Sequence, residues 1–144
     1  MHRASTAISP PLGVCLAVVR AQAALLRRFD GRLGSWHGIS FAEFAILLEL
    51  SRAPALRLRR VDLATAVGLT PSAVTRALIP LEKIGLIRRQ ADTRDARVGY
   101  AVLTPAGGRR VEEAMETVEL ISNESIAEGE LAALAGSLAQ VAGR

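Results

Sequence analysis

Among 144 residues there are one cysteine, one tryptophan, one tyrosine and three phenylalanines. The lone Cys15 excludes a disulfide within the chain. His2 and His37 are the two histidines, and neither has a Cys, His or carboxylate at metal-ligand spacing. No metal or other cofactor is therefore expected. Neither a Gly-rich phosphate loop nor a nucleophile elbow occurs, which argues against an enzyme. Scarce aromatics beside abundant Ala and Leu favour helices over a β-sandwich. Lysine is almost missing as well: Lys83 is the only one, and arginine supplies the other basic charges.

Long apolar runs are also lacking, so no segment is read as spanning a membrane. Arg3, the stretch Leu12 to Val19 and the triplet Ala21-Gln22-Ala23 superficially imitate a secretory signal. Against that, Leu12, Leu16, Val19, Ala23, Leu26 and Leu33 recur at helical spacing beyond the apparent cleavage point. Arg20 interrupts the run. The segment reads as a helix of a cytoplasmic protein.

What is present is concentrated between residues 63 and 86, LATAVGLTPSAVTRALIPLEKIGL. Leu63 and Val67 are apolar one turn apart, and the small Ala64 leaves room for a crossing helix. Gly68 ends that helix, since glycine takes a left-handed turn without a Cβ penalty. Thr70 is a good N-cap, and Pro71 suits the first helical position. Val74, Leu78 and Leu81 then form an inward stripe, leaving Ser72, Thr75, Arg76 and Ile79 on the opposite side. This is the pattern of a helix-turn-helix. Pro80 falls inside the second helix, where a kink or local loosening is expected.

Leu86 to Gln90 reads as a strand, ADTRDAR as a charged reversal, and Val98 to Leu103 as a returning strand. With LTPSAVTRALIPLEKIGLIRR (69–89), the D-x-R of Asp95 and Arg97, and LTPAG (103–107), the chain resembles the MarR family of winged helix-turn-helix regulators. The resemblance implies a mainly α fold with a small β-wing, flanked by N- and C-terminal dimerisation helices. It also implies a homodimer on double-stranded DNA, regulating transcription as a repressor.

Charge supports a nucleic-acid partner. Residues 52–97 hold 10 basic and 4 acidic side chains, a net of +6, while 98–144 hold 3 basic and 7 acidic, a net of −4. One domain over 1–144 is expected, with a core at about 40–104 and dimerisation helices at about 10–34 and 105–142. A first helix from Pro11 to Leu33 is followed by a loop at 34–38 and a second helix from Phe41 to Ser51. Leu56 to Leu58 suits a third short strand. The helix after Thr104-Pro105 carries Val111, Ala114, Met115, Val118 and Ile121 on one face, and a last apolar helix covers about Ala127 to Val141. The apolar faces of the first and last two helices exceed what the small core can cover. They read as an interface between two subunits, the alternative being a bundle within one chain.

DNA-binding candidates are Ser72, Thr75 and Arg76 on the recognition helix, with Arg59 and Arg60 as phosphate clamps. By the family resemblance Asp95 organises the wing, and Arg94 and Arg97 reach a minor groove. Arg88 and Arg89 alternate across a strand, so at most one of them faces DNA. The resemblance also implies a small aromatic or apolar effector. Trp36, His37 and Phe41, with Arg20 for a carboxylate, are candidates for its pocket, though Trp36 and Phe41 equally suit hinge packing. Cys15 lies in the helix where some relatives sense peroxide. Its apolar neighbours favour a buried packing role over a redox one. A winged-helix protein-interaction module without DNA binding is the rival reading.

Overall fold

The first helix, α1 (Pro10–His37), begins on a Ser9 cap whose hydroxyl accepts from the Leu12 amide at 3.4 Å. The computed structural model describes residues 6–95 and 97–143; His2 and Arg3 lie outside that range. The loop expected at 34–38 is instead the last turn of α1. Gly38, at φ 68°, is the left-handed cap, and its amide donates to the Gly34 carbonyl at 3.3 Å. Two glycines competed for that role, and tertiary contacts decided between them. Leu33 is fully buried, and Arg110 donates to the terminal His37 carbonyl at 2.7 Å.

Helix α2 (Phe41–Arg52) opens with a capping box between Ser40 and Glu43. It drives Phe44, Ile46, Leu47 and Leu50 into the core. A short 3-10 turn at Pro54–Leu56 follows, with Ala55 and Leu56 both at φ 55°. That turn moves the first strand one residue beyond the expected Leu56 to Leu58: β1 is Arg57–Arg59. With β2 (Ile87–Ala91) and β3 (Gly99–Leu103) it forms an antiparallel sheet in the order β1-β3-β2. Arg59 lies opposite Tyr100, and Gln90 lies opposite Tyr100 on the other side.

Between β1 and β2 lie α3 (Arg60–Val67) and α4 (Pro71–Lys83). The turn is as its residues require: Gly68 sits at φ 68°, and Thr70 accepts from the Ala73 amide at 3.1 Å. Leu63, Val74 and Leu81 are wholly buried, and Ala64 and Leu78 nearly so. Despite Pro80, α4 is one helix to Lys83. The Ile84 amide still reaches the Pro80 carbonyl at 3.1 Å, so the missing donor costs Arg76 its helical partner without ending the helix.

Helix α5 (Pro105–Ser125) packs on α1 and α2 within the same chain, burying Val111, Ala114, Thr117, Val118 and Ile121. This corrects one expectation: the apolar face of α5, Val118 included, belongs to the protomer's own core. What stays uncovered is α6 (Leu131–Ala142), every residue of which is exposed, together with Leu12, Val14 and Val19 of α1. Cys15 is exposed beside them, contrary to the buried role expected of it. Among the described residues no helix is long and apolar enough to cross a membrane.

Candidate nucleic-acid interface

Because the stripe Val74, Leu78 and Leu81 is buried, α4 presents Ser72, Arg76 and Ile79 outward, all exposed. Thr75 sits among them, half-buried, and its hydroxyl is committed. It donates to the Pro71 carbonyl at 3.0 Å and accepts from Arg60 Nη1 at 3.4 Å. Thr75 therefore anchors Arg60 across the turn instead of offering a proton to a base. Ser72 and Arg76 carry no such engagement among the described residues.

The wing is built on two aspartates. Asp95 accepts from the Arg97 amide at 3.0 Å and from its guanidinium at 3.2 and 3.4 Å. Asp92 accepts from the Arg94 amide at 2.7 Å and from the Tyr100 hydroxyl at 3.2 Å, with Arg59 3.8 Å away. Each carboxyl is held below its ordinary value, Asp92 mainly by the Arg94 amide and Asp95 mainly by the Arg97 amide. Arg97 remains 92% exposed although paired, so its charge stands at the wing surface. The Arg94 side chain is exposed beside it.

Sequence reasoning missed the support beneath the wing. Arg57 lies 4.4 Å and Arg59 5.7 Å from the Tyr100 ring centroid, and Arg57 also donates to Gln90 at 3.0 Å. Arg59 is thus a brace of the wing as well as a cation near it. The alternation Arg-x-Arg was visible, but only the register of β1 on β3 brings both onto one tyrosine. Arg88 shares that face, while Arg89 turns the other way to pair with Glu82 at 2.7 Å.

Among the effector candidates, Arg20 stands apart from the other three within one protomer. Trp36 is 61% exposed, and His37 Nε2 hydrogen-bonds Thr117 Oγ1 at 2.7 Å. Phe41 stacks on Phe29 at 4.3 Å. Arg20 lies sixteen residues before Trp36 on α1, about 24 Å along the axis.

The depressed carboxyls set an expectation for pH. A group whose value falls on folding adds stability above its unfolded value and loses it as pH drops through the folded one. Wing order should therefore persist at neutral pH and fail only in acid, below the ordinary value of 3.8. Carboxyl carbon shifts followed by NMR would check this. Midpoints for Asp92 and Asp95 at or above 3.8 would contradict it.

An exposed polar and basic helix face, a close helix-turn-helix and a two-aspartate wing define a winged helix-turn-helix protein. Residues 39–98, which include the helix-turn-helix, match the profile of the MarR family. It is 26% identical over 102 residues to the uncharacterized HTH-type transcriptional regulator YwaE of Bacillus subtilis. That alignment covers 71% of this chain and 58% of YwaE, so it spans little more than half of the relative's length. Sco3205 of Streptomyces coelicolor, a MarR family regulator solved in complex with DNA, superposes with a TM-score of 0.85 at 22% identity. The match covers 98% of this chain and 91% of that one. BpsR of Bordetella bronchiseptica, whose DNA binding is regulated by 6-hydroxynicotinic acid, gives 0.80 at 22% identity over 90% and 98%. At these identities the two structures speak for the fold.

Proposed function

We propose that the protein is a cytoplasmic, homodimeric, sequence-specific DNA-binding repressor that responds to a small aromatic or apolar ligand. The observation that carries DNA binding is the coincidence of charge with shape. The net +6 of residues 52–97 falls on the segment whose helix α4 turns Ser72, Arg76 and Ile79 to solvent. A wing that only docked a protein would have no need of that charge. Arg94 and Arg97 are the wing's candidates for a minor groove, Arg60 for a phosphate, and Ser72 and Arg76 for base edges. Dimerisation is supported by α6, whose apolar residues have no cover in the protomer. The ligand class is supported by the regulation of BpsR by 6-hydroxynicotinic acid. Since Arg20 cannot reach Trp36 within one chain, a pocket using both draws on two protomers.

Selection from random duplex DNA tests the reading. An imperfect inverted repeat should emerge with half-sites about 10 base pairs apart, the spacing at which two-fold-related helices enter successive major grooves. Affinity should fall steeply with salt as counterions are released. Arg76→Ala should cost about 1–3 kcal/mol and relax preference at particular bases. An equal loss on all sequences would make Arg76 a phosphate contact, and no enrichment at all would sink the proposal.

A further inference from the structure

Ile79 is 54% exposed in the third turn of α4. Single exposed apolar residues are ordinary on protein surfaces, and Val61 and Ile84 are further cases here. Ile79 differs from them in where it stands. At about 100° per residue it falls between Thr75 and Arg76 around the helix axis, on the midline of the stripe that begins at Ser72 and ends at Lys83. Every other residue of that stripe is polar or basic. Two of the four positions that matter for base reading are therefore constrained. Ser72 and Arg76 are free to hydrogen-bond, Thr75 has its proton on the Pro71 carbonyl, and Ile79 can offer only apolar contact.

An edge-on base pair in the major groove presents one apolar group, the C5-methyl of thymine. A branched side chain in the centre of a groove-facing stripe meets hydrated donors and acceptors at any other base, and hydrating them again is impossible beneath it. Pro80 strengthens the argument from the other side. It follows Ile79 directly, yet α4 continues through it to Lys83, so Ile79 is held on a helical turn and not on a fraying end.

We infer that Ile79 is a specificity-determining residue that selects a thymine, through its methyl group, in each operator half-site. The inference rests on the DNA-binding reading proposed above. It adds a base identity that neither the wing nor Arg76 supplies. Because the side chain is exposed, its truncation leaves the core stripe of α4 intact.

The test uses the wild-type protein and the sequence recovered by duplex selection. Each thymine is replaced singly by deoxyuridine, which removes the methyl and keeps the pairing. Loss of one buried methyl corresponds to about a fourfold drop in affinity. At one thymine per half-site, wild type should weaken by about that factor. Ile79→Ala should be indifferent to the same change, while Arg76→Ala should keep the sensitivity. Re-selection with Ile79→Ala should lose the thymine preference at that position alone. Wild type indifferent to deoxyuridine everywhere, or Ile79→Ala still sensitive, overturns the inference and leaves DNA binding standing. If no duplex sequence is enriched, the reading beneath it fails first, and the inference with it.

Discussion

Leu134→Glu combined with Leu138→Glu is expected to give a folded monomer whose operator affinity has fallen by about two orders of magnitude or more. Leu134 and Leu138 are 38% and 47% exposed on α6, none of whose residues belongs to the buried core. A twelve-residue helix is marginal in water by itself, and none of the described residues of the protomer covers the apolar face of α6. A second copy of the chain supplies that cover in the reading proposed here. Two carboxylates in that seam are costly to bury, so the seam opens while the winged core persists. Each half-site would then hold one helix and one wing without the gain of a linked partner. Sedimentation and fluorescence anisotropy on the same samples check both parts. An intact dimer would show that α6 is covered by something else. Val118→Glu is no substitute: at 9% exposure it lies in the protomer's core, and its charge would disrupt the fold itself.

Gly107→Ala should be nearly as damaging, by a different route. A Cβ at Gly107 would collide with the Leu86 carbonyl and stand 2.6 Å from Leu103 Cδ1. The carbonyl, being backbone, has little freedom to retreat. The Leu86 carbonyl accepts from the Thr104 amide at 3.1 Å, and the Thr104 hydroxyl donates to Gly85 at 2.6 Å. Thr104 also caps α5 by accepting from Gly107 at 3.1 Å, so the methyl pushes on the knot that joins α5 to the end of α4. A loss of about 3 kcal/mol is expected, as for overpacking against fixed backbone. For a chain of this size that lowers the Tm by ~10 °C. The neighbouring Gly108→Ala is the control. Its Cβ would meet Leu103 at an ordinary 3.9 Å, and the change should be neutral or mildly stabilising. Thermal unfolding of both variants decides the matter, and equal melting temperatures would refute it.

The helix-turn-helix was legible because its instructions are local. Gly68, Thr70, Pro71 and the stripe Val74, Leu78 and Leu81 each act within a few residues, and the helices follow them. The end of α1 was not, because Gly34 and Gly38 are equal stop signals locally and the contact that chose between them comes from Arg110. The same holds for α5. Its apolar face could serve a partner or the protomer, and only the packing of α1 and α2 against it decides. In the candidate interface the residue types were readable but their engagements were not. Thr75 is legible as a DNA-binding candidate, but nothing local shows that its hydroxyl is tied to Pro71 and Arg60. Tyr100 was passed over because a lone tyrosine in a strand gives no sign that two arginines will cross it.

The turn at Pro54–Leu56 has a consequence far from where it lies. Ala55 and Leu56 both take a left-handed backbone, a conformation that costs an L residue ~1 kcal/mol or more. That cost sets the phase of the strand which follows. Side chains of a strand alternate between faces, so one residue more or fewer in the turn would exchange Arg57 and Arg59 for Leu58 over Tyr100. Leucine there would offer the ring no cation, and two guanidinium groups would be thrust at the core. What the turn contributes to the wing is therefore a count of residues, and its own composition matters chiefly for keeping that count.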